Sequence, residues 1–257
     1  MRTDLIRTFR EALKKRAVAG PFSKLTDPAT AEIAGHAGFD FIIIDMEHGP
    51  HTIQTVQNVI RAAEGAGILP VVRVAENSET LIGQVLDVGA CGVQVPQVKS
   101  ASDAEKAIRA ARFAPEGMRG ICKFVRAADY SALDRLEYFK QANEALVILQ
   151  VEGTEVLGDL DRIIGLPGLD ILFIGLMDLS QSLGVAGHMD HPKVLEKLKE
   201  ITDKCLKKNV RVGTYADSPA IGKKWIEMGV RYIGCNVDVG YLLSAFKSAV
   251  SEFGLKQ

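Results

Sequence analysis

The stretch "FDFIIIDMEHGPHT", residues 39–52, is an apolar run that ends abruptly in two acids and a histidine. A short run rich in isoleucine and bounded by glycines predicts a strand buried on both faces, as in a parallel sheet. Charged side chains are rarely buried without partners. Asp45 therefore either begins a solvated turn, with His51 or Thr52 capping the next helix, or belongs to a functional site.

Seven further runs of this kind occur, and most are followed by a pattern with helical periodicity. The predicted strands are residues 17–23, 39–45, 69–74, 91–98, 145–152, 169–175, 210–216 and 230–237. Eight such units predict a single TIM (β/α)8 barrel over residues 1–257, with residues 114–144 as a loop-plus-helix insertion. A doubly wound open sheet is the alternative, and it is weakened because no glycine fingerprint follows the first strand.

Composition narrows the class of protein. The chain has 257 residues, of which 47% are hydrophobic and 25% charged, and this suits a domain with a large core. A net charge of -1 without a basic stripe argues against nucleic acid as a partner. The apolar runs fall short of the roughly 18 residues that a membrane span needs. The four cysteines have no paired spacing and the N-terminus lacks signal-peptide features, so we expect reduced thiols in a cytoplasmic protein.

In a TIM barrel the active site lies at the carboxyl ends of the strands. Several predicted strands end there in charged or polar residues rather than in turn residues alone. These residues are Asp45, Glu47 and His48 after the second strand, Arg73 after the third, Gln150 and Glu152 after the fifth, and Gly175 and Asp178 after the sixth. Because parallel strands of a barrel end on one rim, we expect these side chains to converge.

Glu152 and Asp178 follow consecutive strands, and neighbouring strands lie about 4.8 Å apart. Two carboxylates so close would repel unless one is protonated or a cation lies between them. The pair predicts a Mg²⁺ or Mn²⁺ site, with Co²⁺ as a further option. The alternatives are that Asp178 is a helix N-cap and that Glu152 is a surface acid.

Asp45 and His48 cannot both point inward along one regular strand, so the chain must turn after Met46. Such a turn would allow Asp45 to hydrogen-bond the His48 imidazole and orient it as a general base. The alternative for His48 is a structural histidine bound to a loop carbonyl. Arg73 leaves a buried strand and needs an anionic partner, which is either a substrate oxygen or a structural ion pair with Glu47 or Glu76.

Six segments together resemble the HpcH/HpaI aldolase family of metal-dependent class II pyruvate aldolases. In order they are "FIIIDMEHGPHT", "PVVRV", "LDVGACGVQVPQV", "RFAPEGMRG", "LQVEG" and "FIGLMDLSQSLG". The resemblance covers nearly the whole chain in order and spacing. It implies reversible cleavage of a 4-hydroxy-2-oxo acid into pyruvate and an aldehyde. It also implies a homohexamer, a trimer of dimers, in which the last helix is exchanged between subunits.

The resemblance also implies roles for individual residues. Glu152 and Asp178 correspond to the metal ligands, and His48 corresponds to the base, oriented by Asp45. Arg73 corresponds to the residue that contacts the keto oxygen of the substrate. The implied substrate-binding residues are Gln150, Gly175, Leu176, Met177 and Asp87, together with Arg119 on a loop that would reach a neighbour's site.

The chain departs from the family pattern at the turn Gly175-Leu176-Met177-Asp178, where the family usually has proline after the glycine. Met177 is also larger than the usual residue, and methionine fills irregular apolar space. From this substitution we expect a narrower, less polar aldehyde pocket and a preference for small or apolar aldehydes. A second departure follows Gly120, where the chain reads "ICKFVRAADY".

Three other functions remain open on the sequence. The first is a lyase of the citrate lyase β type that acts on a CoA thioester, although no basic patch for a nucleotide is evident. The second is a Schiff-base aldolase, for which Lys99 and Lys123 are the nearest lysines. The third is a catalytically silent metabolite-binding barrel, which the presence of both acids, the histidine and the arginine disfavours.

Overall fold

The computed structural model describes residues 2–254, so the ends of the predicted 1–257 domain, residues 1 and 255–257, lie outside it. Eight parallel strands form a closed barrel in the order of the sequence, and the predicted TIM barrel is confirmed. The strands are β1 (Val18–Ser23), β2 (Phe41–Asp45), β3 (Leu69–Arg73), β4 (Gly92–Val95), β5 (Leu146–Val151), β6 (Ile171–Ile174), β7 (Arg211–Ala216) and β8 (Tyr232–Val237). Each lies within one of the predicted runs.

Helices surround the barrel because the strands are buried on both faces and must be covered. The α-helices are α1 (Thr3–Lys15), α2 (Ala29–His36), α3 (Ile53–Gly65), α4 (Glu79–Asp87), α5 (Ala101–Ala110), α6 (Arg135–Ala142), α7 (Leu160–Ile163), α8 (Leu176–Ser182), α9 (Pro192–Lys207), α10 (Pro219–Glu227) and α11 (Asp238–Glu252). Short 3₁₀ helices occupy Arg126–Ser131 and Thr154–Gly158. None of the helices within residues 2–254 is long and apolar enough to span a membrane.

The amino end of the barrel is closed by α1. This helix buries Phe9, whose ring packs edge-on against Phe41 with centroids 5.7 Å apart. Phe41 in turn stacks on Tyr232 at 4.2 Å, and both residues begin their strands. The plugged amino end leaves the carboxyl ends of the strands as the open mouth of the barrel.

Alternation along the strands determines which residues face the interior. Phe41 and Ile43 of β2 and Leu69 and Val71 of β3 pack in the inner core cluster. Two residues further along, this same inward face reaches Asp45 on β2 and Arg73 on β3. The inner apolar layers therefore end in a polar layer at the mouth.

Candidate active site

Asp45 and Arg73 form a buried ion pair at the mouth. They are register partners on the neighbouring strands β2 and β3, so their side chains leave the sheet at the same level and on the same face. Arg73 Nε lies 2.9 Å from Asp45 Oδ1, and Nη2 lies 2.8 Å from Oδ2. The guanidinium also covers the Phe22 ring, 4.9 Å from its centroid. This bidentate geometry holds Arg73 in one orientation.

The structure corrects the expected pairing of Asp45 with the His48 imidazole. Besides Arg73, Asp45 accepts the backbone N–H groups of Glu47 at 3.1 Å and of His48 at 3.2 Å, and thereby stabilises the turn. Burial acts to raise the pKa of Asp45, but the Arg73 hydrogen bonds and charge, with these N–H groups, outweigh it and lower the pKa. The stability that Asp45 contributes is therefore present above its ordinary pKa and is lost on acidification.

Glu47 is the carboxylate nearest to the His48 ring. Its Oε2 lies 3.9 Å from His48 Nε2 and 2.9 Å from Arg73 Nη1. Gln97 donates to the other oxygen, Oε1, at 3.3 Å. The ion pair of Arg73 with Glu47 that the sequence offered as an alternative is thus present. The His48 side chain is 64% exposed and points toward solvent at the mouth.

Two glutamine side chains form a series of hydrogen bonds that ends at the Glu152 carboxylate. Gln94 Nε2 donates to Gln150 Oε1 at 2.6 Å, and Gln150 Nε2 donates to Glu152 Oε1. Both glutamines are buried, so these hydrogen bonds hold the Glu152 carboxylate from one side. Gln94 was not singled out from the sequence, although alternation on β4 places it inward.

Glu152 and Asp178 face one open cavity of about 490 Å³. Its lining consists of Gln97, Lys99, Glu152, Gly153, Glu155, Asp178, Gln181 and Ser182. Asp178 is exposed and is the third residue of α8, so it is not the N-cap of that helix. The two acids that the sequence paired are therefore brought together on one surface.

Gly175 is required where it stands, because a Cβ there would lie 2.9 Å from Glu152 Cγ. Its own N–H donates to Val151 O at 2.9 Å, so Gly175, one of the implied substrate-binding residues, does not offer this N–H to a substrate. The N–H groups of Leu176 and Met177, in the first turn of α8, have no acceptor within the helix. The Met177 side chain is 52% exposed.

Asp87 and Arg119 lie away from the mouth of the barrel. Arg119 Nη2 donates to Asp87 Oδ1 at 2.6 Å. Asp87 is the last residue of α4, which runs back from the mouth, so the nine-residue helix separates it from the mouth by about 13 Å. Within one chain these residues are not part of the mouth, and the predicted contact of Arg119 with a neighbour's site stays a prediction.

Comparison with known proteins places this chain in a family. The sequence model of the HpcH/HpaI aldolase/citrate lyase family matches residues 19–244. The chain belongs to this family. It is 35% identical to a 2-keto-3-deoxy-L-rhamnonate aldolase of Salmonella typhi, over 98% of this chain and 95% of that protein. It is 32% identical to a 4-hydroxy-2-oxo-heptane-1,7-dioate aldolase of Salmonella newport (strain SL254), over 97% and 95%.

Solved structures agree with this placement in the HpcH/HpaI family. A HpcH/Hpal aldolase/citrate lyase family protein from Burkholderia cenocepacia J2315 superimposes with a TM-score of 0.89 at 33% identity. The match covers 96% of this chain and 98% of that chain. The resemblance noted in the sequence is therefore confirmed for the family and the fold.

The charges at the mouth fit a divalent cation. Burial is the main reason that the pKa of Glu152 is raised, and the carboxylates of Glu47 and Asp178 raise it further, while the Gln150 hydrogen bond and Arg73 oppose the shift. Within residues 2–254 no cluster of three or more His, Cys, Asp or Glu side chains is placed to hold a metal. Glu152 and Asp178 are the carboxylates that line this cavity together with Glu155, and a divalent cation between the first two would offset the effect that each has on the charge of the other.

This arrangement predicts that the metal-free protein is destabilised by its own Glu152. Because the folded pKa is raised, the folded state binds more protons than the unfolded state, so stability falls as pH rises from the ordinary value of 4.5 through the folded pKa. Glu152→Gln should remove this penalty and raise Tm at neutral pH with chelator present. The expected rise is a few degrees, about 2–4 °C for each kcal/mol.

The control for this prediction is Glu196→Gln, which removes an exposed carboxylate of α9 and should leave Tm unchanged. Thermal unfolding of the three proteins at pH 4 and pH 7.5 is the measurement. A Glu152→Gln protein that is no more stable than wild type at pH 7.5 would show that the charge of Glu152 is already compensated in the metal-free state.

Sequence reasoning missed Lys24, which follows β1. Its Nζ lies 4.0 Å from Asp45 Oδ2. The signal was available in the alternation of β1, since Val18 and Phe22 face the interior and Lys24 is the next residue in that series. By contrast, the exposed Lys123 packs over the Phe124 ring, and the exposed Lys99 lines the cavity beside Glu152.

Proposed function

We propose that this chain is a class II pyruvate aldolase, a carbon–carbon lyase that reversibly cleaves a 4-hydroxy-2-oxo acid into pyruvate and an aldehyde with a divalent metal. The observation that carries the proposal is that Glu152 and Asp178 line one open cavity, while Arg73, whose charge acts on Glu152, is held in one orientation by Asp45. The names of the relatives, all aldolases of 2-oxo acids, support the same reaction.

Glu152 and Asp178 would hold Mg²⁺ or Mn²⁺, with Co²⁺ as a further option, and Gln150 would steady Glu152 through its hydrogen bond. When bound, the metal supplies Lewis-acid polarisation of the 2-oxo group. The first N–H groups of α8, at Leu176 and Met177, would donate hydrogen bonds to the substrate carboxylate. These residues bind and orient the 2-oxo acid end of the substrate.

Arg73 would stabilise negative charge that develops on the oxo oxygen as the carbon–carbon bond breaks. Its guanidinium is already held by Asp45 and Glu47, so it needs no reorganisation when the charge appears. Asp45 is thus a positioning residue for Arg73 in this proposal rather than for the His48 ring.

His48 would take the proton from the 4-hydroxyl group, directly or through one water. Its exposed ring at the mouth can reach a substrate that enters from solvent, and Glu47 Oε2 lies 3.9 Å from its Nε2.

Assembly into a homohexamer, with the last helix exchanged, is part of this proposal. The last helix α11 exposes apolar side chains, including Leu242, Leu243 and Phe246, which a partner subunit would cover. The function also implies a small-molecule substrate and a cytoplasmic location. Light scattering at several concentrations would measure the oligomer, and a stable monomer would contradict this part of the proposal.

The experiment that tests the function is incubation with pyruvate and a panel of aldehydes, with Mg²⁺, Mn²⁺ or chelator, scored for the condensation product. Condensation that needs metal is the expected result. Full activity after exhaustive chelation, together with inactivation by borohydride and pyruvate, would instead show a Schiff-base aldolase, for which Lys24 at the end of β1 is the better placed lysine. Activity only on CoA thioesters would show a lyase of the citrate lyase β type.

A further inference from the structure

Lys24 is a cationic side chain at the mouth for which the proposed reaction has no role. Val18 and Phe22 of β1 face the barrel interior, and Lys24 continues their series immediately after the strand. Its side chain is 32% exposed, so the ammonium group is neither buried in the core nor free on the outer surface. It lies between the interior and the solvent, where a substrate would enter.

The charge of Lys24 is not needed to neutralise Asp45. The Asp45 carboxylate already accepts two hydrogen bonds from Arg73 and two from backbone N–H groups. The separation of 4.0 Å between Lys24 Nζ and Asp45 Oδ2 is beyond hydrogen-bond distance. An ammonium group has three donors, and these remain available to a further acceptor.

The backbone of Lys24 is held firmly, which is what a binding residue requires. The buried carboxylate of Asp238 accepts the N–H of Lys24 at 3.0 Å, the N–H of Leu25 at 2.9 Å and the hydroxyl of Ser23 at 3.0 Å. His51 Nε2 lies 3.2 Å from the Ser23 carbonyl oxygen. Three donors on one buried acid fix the segment from which the lysine projects.

The barrel order places Lys24 opposite Glu152. In a closed ring of eight strands, β1 lies across the mouth from β5, at whose end Glu152 stands. Arg73, on β3, lies between them along the ring. A 2-oxo acid held beside Glu152, with its oxo group toward Arg73, would therefore extend its other end toward β1 and Lys24.

We propose that Lys24 is a specificity-determining residue that binds a carboxylate at the end of the substrate distal to its 2-oxo acid group. This inference rests on the proposed function, because it assumes that the 2-oxo acid end is held at Glu152 and Asp178. It differs from the sequence-based expectation that Met177 causes a preference for apolar aldehydes, which stays a prediction that the same measurements test. The substrate class is then a 2-oxo diacid, and the aldehyde product carries a carboxylate.

Two five-carbon probes test this proposal without turnover, namely 2-oxoglutarate and 2-oxopentanoate, which differ in the terminal carboxylate. Calorimetric binding to the Mn²⁺-loaded protein should favour 2-oxoglutarate. Lys24→Met should reduce that preference roughly 10-fold to 100-fold, the range for loss of a hydrogen bond to a charged group. Lys24→Arg should retain most of the preference, and Lys207→Met, at the far end of α9, should not alter it.

Condensation kinetics give a second measurement on the same variants. With pyruvate, the ratio of kcat/KM for succinic semialdehyde to that for butanal should fall in Lys24→Met by a similar factor, and mainly through KM. If both probes bind and both aldehydes react, yet neither ratio changes in Lys24→Met, the proposal is overturned while the aldolase function stands. If neither probe binds and no aldehyde reacts, the proposed function fails and this inference fails with it.

Discussion

Glu152→Gln is expected to lower kcat/KM for pyruvate condensation by roughly 10³-fold or more, because Lewis-acid assistance contributes several kcal/mol to such a reaction. The same variant should bind Mn²⁺ much more weakly, since an amide replaces one of two carboxylate ligands. Asp178→Asn should give a similar loss, because both acids face the same cavity. Calorimetric Mn²⁺ titration and steady-state kinetics on each variant are the measurements.

In Glu152→Gln, a loss of activity through unfolding can be distinguished from a loss through weaker metal binding. Glu152 carries a charge that burial and the neighbouring acids disfavour in the metal-free state, so its removal should stabilise the protein while it abolishes turnover. Replacing a residue with a merely structural role would instead lower the stability of the protein together with its activity. Glu196→Gln serves again as the control for loss of a surface carboxylate. Retained activity in both site variants would exclude these acids as the metal ligands.

The barrel could be predicted because the sequence features that indicate it are local and recur along the chain. Runs such as residues 39–45 and 145–152 are apolar throughout, and strands buried on both faces leave little choice of architecture. The ends of those runs then identified Asp45, Arg73 and Glu152, because a closed barrel brings the carboxyl ends of all strands to one mouth.

The pairing of side chains within the mouth could not be predicted in the same way. The closeness of Asp45 and His48 in the sequence predicts that they pair, but the register of β2 against β3 places Asp45 directly beside Arg73. A bidentate guanidinium at 2.8 and 2.9 Å then occupies both carboxylate oxygens. Such a choice depends on the stagger between neighbouring strands, which no single run of sequence contains.

Lys24 and Asp238 show a second limit of prediction from sequence. One follows the first strand and the other begins the last helix, and they meet only because β1 pairs with β8 when the barrel closes. A lysine after a short strand is ordinarily a solvated residue. Its significance appears only when its position relative to Asp45 and its fixed backbone are known.

His48→Ala is expected to lower kcat by about 10²–10⁴-fold, the usual contribution of a general base, and to leave Mn²⁺ affinity nearly unchanged. The structure makes this variant easy to interpret, because the His48 side chain is 64% exposed and its removal leaves no buried charge without a partner. Replacing Arg73 would be less informative, since buried Asp45 would lose its partner at a cost of about 3–5 kcal/mol.

Imidazole added to the solution should restore part of the activity of His48→Ala. The ring position opens to solvent beside Glu47, so a free imidazole can enter and accept the hydroxyl proton in place of the side chain. The control is His36→Ala, in which an exposed histidine at the end of α2 is removed, and which should neither lose activity nor respond to imidazole. Full turnover of His48→Ala without imidazole would show that the proton is taken by another group. A large loss of Mn²⁺ binding in the same variant would show that His48 is a metal ligand, and the base would then have to be sought among the other groups at the mouth.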